Sequence, residues 1–170
     1  MSTESLWDAV TSRRKAPVAM PQARSMPAWS GGALCAVRNT GDTLPGLTIL
    51  AVDDEPLVLE VIAEALGDLG LRIVTCRDAG EGLGAFALLD GPAVLVTDVG
   101  LHGLTGSALA DAFRDTRPNG AVVFTTNLQN GPPDVPTTLG PRDIVLPKPF
   151  GRRELRAAIG HASALASSGR

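Results

Sequence analysis

The feature that most constrains the fold is an alternation of strand-like and helix-like segments that begins at residue 47. Five short apolar segments have the length and composition of β-strands: residues 47–52, 72–76, 93–99, 121–126 and 143–147. Between most of them, apolar residues recur three and four positions apart, as on one face of an amphipathic helix. Strands that alternate with helices in this way predict an open parallel sheet with helices on both faces.

The predicted helices have recognisable ends. The first begins at Pro56, because proline suits the first turn of a helix, and ends near Gly70. The others are predicted over residues 79–89, 105–116 and 152–166. The slot between the fourth and fifth strands contains four prolines, Pro132, Pro133, Pro136 and Pro141. Since a proline inside a helix costs about 3 kcal/mol or more, we expect a short helix or a loop there.

Residues 1–46 show no sustained period and are rich in Pro, Gly, Ser, Thr and Arg. This composition predicts a disordered N-terminal extension, followed by one folded domain over residues 47–167. Trp7 and Trp29 could anchor a partner protein, although an unstructured extension is the simpler interpretation.

Composition excludes several classes of protein. Apolar residues make up 44% of the 170 residues, enough for one core, and the net charge of −3 does not indicate a nucleic-acid binder. No apolar run approaches a membrane span, and the N-terminus lacks the apolar stretch of a secretory signal. Two cysteines, Cys35 and Cys76, are too few for a disulfide framework and lack metal-ligand spacing. We therefore expect a cytoplasmic protein without nucleic-acid or membrane partners.

Carboxylates follow two of the predicted strands. Asp53 and Asp54 come after the first strand, and Asp98 ends the third. Sites in open α/β sheets form outside the carboxyl ends of strands. If the two strands are neighbours, the three carboxylates repel one another, and one stays protonated unless a cation intervenes. Oxygen ligands select a hard cation, so Mg²⁺ is the predicted ion, with Asp53, Asp54 and Asp98 as its candidate ligands.

Two further strand ends carry polar groups. Thr125 and Thr126 end the fourth strand, and Lys148, one of two lysines in the chain, follows the fifth. Hydroxyl and ammonium groups can meet the charge of a phosphoryl group carried on a carboxylate, and phosphoryl transfer depends mainly on such positioning. Each residue alone has an ordinary explanation, such as a helix N-terminal charge, a solvated strand end or a β-forming threonine. Their conjunction favours a phosphoacceptor site.

The chain resembles response-regulator receiver domains over roughly residues 47–167. The resemblance rests on four segments, ILAVDDEP (49–56), VLVTDVGLHGLTG (94–106), VVFTTN (122–127) and LPKPF (146–150). It implies a flavodoxin-like, doubly wound, five-stranded parallel sheet with strand order 2-1-3-4-5. It also implies that Asp98 accepts a phosphoryl group from a histidine kinase or a phosphotransfer protein.

The resemblance also assigns roles to the other site residues. Asp54 matches a direct Mg²⁺ ligand, Asp53 a neighbour that acts mainly through water, and the Gly100 carbonyl the remaining protein ligand. Thr126 matches a hydroxyl that closes on the phosphoryl group. Lys148 matches a lysine that pairs with that group, and its bond to the following proline is expected to be cis.

Three residues depart from the family pattern. His102 stands where proline is usual, Asn127 where a small residue is usual, and Val145 where an aromatic residue is usual. A more mobile loop around His102 and an altered phosphoryl lifetime are therefore expected. Departures of this kind are similar to those in receivers linked to HWE-type histidine kinases.

The resemblance implies a stand-alone signalling domain rather than an enzyme. Few residues follow the last predicted helix, so we expect the output to be a changed protein–protein surface or a phosphate sink, from a monomer or weak dimer. One alternative is a pseudo-receiver that binds partners without phosphorylation. Another is a Mg²⁺-dependent phosphohydrolase with an aspartyl-phosphate intermediate, which is disfavoured because Gly100 stands where a second acidic group is needed.

Overall fold

Six strands and four helices form the part of the chain that the computed structural model describes. The described residues are 35–39, 47–86, 89, 91, 93–127 and 139–167. The strands are β1 (Ala36–Asn39), β2 (Thr48–Val52), β3 (Arg72–Cys76), β4 (Ala93–Asp98), β5 (Ala121–Asn127) and β6 (Asp143–Lys148). The helices are α1 (Pro56–Leu66), α2 (Ala79–Phe86), α3 (Gly106–Thr116) and α4 (Arg152–Ser167). None of these helices has the length and apolar character needed to cross a membrane.

The strands form one sheet in the order β1-β3-β2-β4-β5-β6. Strands β2 to β6 are parallel, and their order confirms the predicted 2-1-3-4-5 arrangement. Strand β1 was not predicted, and it pairs antiparallel with β3 at the edge of the sheet. Four residues of the predicted disordered extension therefore lie in a strand. A segment this short has no readable period, and its conformation depends on pairing with β3.

Helices cover both faces of the sheet. On one face, α1 and α4 pack against the strands through residues such as Ile62 and Ile159. On the other face, α2 and α3 contribute Phe86 and Phe113. The central strands β2 and β4 are buried almost throughout, which explains the apolar runs ILAV and AVLV in their sequences.

Helix α1 begins at Pro56 as predicted and ends at Leu66, four residues before the predicted end. Helix α3 begins at Gly106, where the Thr105 hydroxyl accepts a hydrogen bond from the Ala108 N–H at 3.3 Å and so caps the helix. The prediction of a short helix or loop between the last two strands falls mostly on residues 128–138, which lie outside the described residues.

A disulfide joins Cys35, next to β1, to Cys76, the last residue of β3. Composition did not predict this bond, because the two cysteines are 41 residues apart in the sequence. The antiparallel register pairs Ala36 with Thr75. It therefore brings the two cysteines opposite each other, with their Cα atoms 4.7 Å apart.

Candidate functional site

The predicted site residues lie at one edge of the sheet, at the carboxyl ends of four parallel strands. Asp53 and Asp54 follow β2, and Asp98 ends β4. Asp98 pairs in register with Thr125 of β5. Two residues further along β5, Asn127 pairs with Lys148 of β6. The strand order makes β2 and β4 neighbours, which was the condition for the three carboxylates to approach one another.

Lys148 connects three acidic side chains. Its Nζ lies 2.9 Å from Asp53 Oδ2, 3.4 Å from Asp98 Oδ1 and 3.5 Å from Glu55 Oε1. The side chains of Lys148 and Asp98 are each 13% exposed, so water screens their attraction only partly. A molecule that reaches the Asp98 carboxylate therefore also approaches the positive charge of Lys148.

Asp53 is the most deeply buried of the acidic residues at this edge, with 1% of its surface exposed. Its Oδ1 accepts a hydrogen bond from the Glu55 N–H at 2.9 Å, and its own N–H donates to the Cys76 carbonyl at 3.2 Å. Burial penalises the charged carboxylate and raises the pKa of Asp53, although the hydrogen bonds from Lys148 and Glu55 oppose the rise.

Lys148 remains an ammonium ion at neutral pH. Burial works to lower the pKa of Lys148, but the hydrogen bond to Asp53 and the charges of Asp53, Asp98 and Glu55 outweigh it, and the pKa is raised. The positive charge beside Asp98 is therefore stable throughout the physiological range.

Asp54 has a different partner from Asp53. Its Oδ2 contacts His102 Nδ1, and the Asp54 side chain is 30% exposed. His102, which is 92% exposed, was expected to make the loop after Asp98 more mobile. The structure adds a contact of this histidine with a predicted metal ligand.

The donor groups suit a hard cation, although they are not assembled into a compact cage. Within the described part of the chain, Asp53, Asp54 and Asp98 do not form a group of ligand atoms lying within 4.8 Å of one another. Two of them contact Lys148 and the third contacts His102. A Cβ built on Gly100 would lie 3.4 Å from Asp98 Oδ2, so the Gly100 backbone passes beside the carboxylate. Carboxylate and carbonyl oxygens of this kind are the ligands that Mg²⁺ prefers.

The two threonines at the end of β5 are both buried, Thr125 at 1% and Thr126 at 2% exposure. Thr126 pairs in register with Pro147, one residue before Lys148. Among the described residues, the buried Thr125 hydroxyl has no hydrogen-bond partner. The peptide bond between Lys148 and Pro149 is cis, which confirms that prediction.

Two residues that contribute to the site were not assigned roles from the sequence. Glu55 contacts Lys148. Its position directly after two aspartates is the sequence feature that could have identified it as a site residue. Gly106 packs against the backbone beside the carboxylate, because a Cβ at this position would lie 2.1 Å from the Asp98 carbonyl oxygen. The sequence feature that could have identified Gly106 is its place at the end of the segment VLVTDVGLHGLTG, which also contains Asp98.

The model of the response regulator receiver domain family matches residues 49–160, well over half of the chain. The fold is that of a receiver domain, and the chain belongs to the response regulator receiver family. No curated protein matches the chain significantly.

Solved receiver structures share the fold. The signal receiver domain of an HD domain-containing protein from Pseudomonas fluorescens Pf-5 has a TM-score of 0.60 and 20% identity, covering 72% of this chain and 98% of its own. A response regulator receiver domain protein from Clostridium thermocellum has a TM-score of 0.60 and 25% identity, with the same coverage. NtrX from Brucella abortus has a TM-score of 0.61 and 27% identity, covering 71% of this chain and 27% of its own.

Proposed function

We propose that Asp98 accepts a phosphoryl group from the phosphohistidine of a histidine kinase or phosphotransfer protein. The observation that carries this proposal is the position of Lys148, whose ammonium group contacts both Asp98 and Asp53. Asp98 is the more accessible of these two carboxylates, with 13% of its side chain exposed against 2% for Asp53. It is therefore the carboxylate that an incoming donor can reach more easily.

In the proposed reaction, an Asp98 oxygen attacks the phosphorus atom and the bond from phosphorus to the donor's imidazole nitrogen breaks. The imidazole keeps the electron pair of that bond, and Asp98 carries an acyl phosphate. Lys148 stabilises the negative charge that accumulates on the phosphoryl oxygens. Asp53, Asp54, Asp98 and the Gly100 carbonyl would hold Mg²⁺, which would neutralise further charge in this step. Thr126 is proposed to donate a hydrogen bond to the phosphoryl group.

A groove of about 330 Å³ beside Lys148 supports a protein donor. Its apolar lining includes Leu57 and Val61 of α1, which are 73% and 44% exposed, and Phe150 after β6. Apolar side chains exposed together mark protein contacts more often than single ones do. We propose that a helix of the kinase or phosphotransfer protein packs here and delivers its histidine to Asp98.

The proposed output is a shift between two existing conformations of the domain, which changes the surface that a downstream protein binds. Alternatively, the domain acts as a phosphate sink that withdraws phosphoryl groups from another regulator. We place this activity in the cytoplasm and in a monomer or weak dimer. The domain would catalyse only its own phosphorylation and dephosphorylation.

The test is intact mass after incubation with Mg²⁺ and acetyl phosphate. The wild type and Asp115→Asn, which changes an exposed aspartate outside the site, should gain one phosphoryl group, and Asp98→Asn should gain none. An adduct that persists in Asp98→Asn would disprove the assignment of Asp98. Absence of any adduct on the wild type would favour a phosphorylation-independent binding module.

A further inference from the structure

We propose that Cys35 and Cys76 form a reversible disulfide whose redox state determines whether β1 pairs with the edge of the receiver sheet. The proposal goes beyond the phosphoacceptor role and does not depend on it. Both β1 and Cys35 lie outside residues 49–160, the part that matches the family model.

The geometry permits the bond without distortion of the backbone. Ala36 pairs with Thr75, so Cys35 and Cys76 are the next residues opposite each other in the antiparallel ladder. Their Cα separation of 4.7 Å lies within the range of disulfides. It is also close to the shorter of the two spacings that alternate in antiparallel ladders, where side chains approach most closely.

The two sulfur atoms differ in accessibility. Cys76 is completely buried in the core beneath α2, whereas Cys35 is only partly buried. A small thiol or disulfide in solution can therefore reach Cys35 first. The chain has no other cysteine that could compete.

The redox step balances with a small disulfide such as oxidised glutathione as the oxidant. The Cys35 thiolate attacks one glutathione sulfur, and the other glutathione leaves as a thiolate. The Cys76 thiolate then attacks the Cys35 sulfur of the mixed disulfide and releases the second glutathione. Two protein thiols are oxidised, one glutathione disulfide is reduced, and the two protons pass to the glutathione thiolates.

The bond matters to β1 because it links the start of this short strand to the end of β3. Strand β1 is four residues long and, at the edge of the sheet, has β3 as its neighbour. Short segments at the periphery of a domain can open locally at free energies well below that of global unfolding. When the disulfide is reduced, we expect β1 to separate, which leaves the backbone groups on the outer side of Arg72–Cys76 unpaired and open to another strand.

The first measurement identifies the bond. The full chain is equilibrated in glutathione buffers, free thiols are blocked with N-ethylmaleimide, and tryptic peptides are analysed by mass. Oxidising buffer should link peptide 25–38 to peptide 73–77, and reducing buffer should leave each peptide with one maleimide. A chelator is included because the two sulfurs and a Glu81 carboxylate oxygen lie within 4.8 Å of one another, and the reduced pair could bind metal. Failure to form the link in oxidising buffer would refute the proposal.

The second measurement is amide hydrogen exchange in the two buffers. Reduction should accelerate exchange in Ala36–Asn39 by at least about tenfold, while Ala93–Asp98 in the sheet centre stays unchanged. Cys35→Ser, which leaves the buried Cys76 in place, should exchange rapidly at β1 in both buffers, as should Cys76→Ala. Equal exchange of β1 in oxidised and reduced wild type, or slow exchange in Cys35→Ser, would show that β1 pairs independently of the bond. These readouts require no phosphorylation, so they are independent of the Asp98 test.

Discussion

Lys148 balances the negative charge of the carboxylates that follow or end the parallel strands. Its ammonium group lies between Asp53 and Asp98 and contacts Glu55 as well. Because these contacts also hold its pKa above the ordinary value, the charge is present before any phosphoryl group arrives. The carboxylate Asp98 is thus positioned beside its counter-charge in advance.

Gly106→Ala should lower stability because the new methyl group would lie 2.1 Å from the Asp98 carbonyl oxygen. We expect a loss of about 1–3 kcal/mol in the free energy of unfolding, together with slower acetyl phosphate labelling as the Asp98 backbone shifts. The matched control is Gly160→Ala in α4, where a Cβ has no neighbour within 4 Å. That change should stabilise the helix by up to about 1 kcal/mol. Urea unfolding measures both variants, and equal stabilities would contradict the prediction.

Thr126→Val and Thr125→Val remove neighbouring buried hydroxyls with different expected effects. Thr126→Val should still form the Asp98 adduct but lose the changes in amide exchange that phosphorylation causes in the wild type. Thr125→Val should keep those changes and be as stable as the wild type or slightly more stable, since its hydroxyl has no partner among the described residues. The reverse pattern would assign the closing hydroxyl to Thr125 instead.

At the scale of elements, α1 presents an apolar surface next to the proposed phosphoacceptor. Leu57 is in the first turn of this helix and Val61 one turn later, and both side chains line the groove that Lys148 also lines. The two faces of α1 therefore have different environments. One packs on the sheet through Leu59, Ile62 and Leu66, and the other stays exposed.

Leu57→Ser should weaken phosphoryl transfer from a protein donor while leaving labelling by acetyl phosphate unchanged, because the small donor does not need the groove. The donor is any autophosphorylated histidine kinase, from a purified panel, that labels the wild type. We expect at least about a tenfold loss in transfer rate, as for a central interface residue. Leu69→Ser, an exposed leucine beyond the other end of α1, is the control. If Leu57→Ser slowed labelling by the kinase and by acetyl phosphate equally, Leu57 would not belong to a docking surface.

For the whole molecule, Mg²⁺ should raise the midpoint of thermal unfolding, because a ligand that binds only the folded state stabilises that state. At ten times the dissociation constant the gain is about 1.4 kcal/mol, which corresponds to a few degrees in a domain of this size. Asp54→Asn should abolish the shift, and Asp115→Asn should retain it. A shift that survives in Asp54→Asn would mean that the ion binds elsewhere.

The five parallel strands and four helices were predictable because each has a local signature. Strands β2 and β4 contain the apolar runs ILAV and AVLV, and α1 begins at a proline. The positions of Asp53, Asp54, Asp98 and Lys148 at strand ends followed from the same patterns. The contact between His102 and Asp54 did not, since 48 residues separate them and nothing local to either residue indicates the other.

The sequence alone therefore determined which segments are strands or helices and which polar residues end the strands, because hydrophobic period and helix-end chemistry act over a few residues. Only the tertiary structure decided that β1 joins the sheet, that Cys35 meets Cys76, and that Lys148 contacts three carboxylates. These contacts join residues far apart in the chain. Their formation depends on the register of strands that the rest of the domain holds in place.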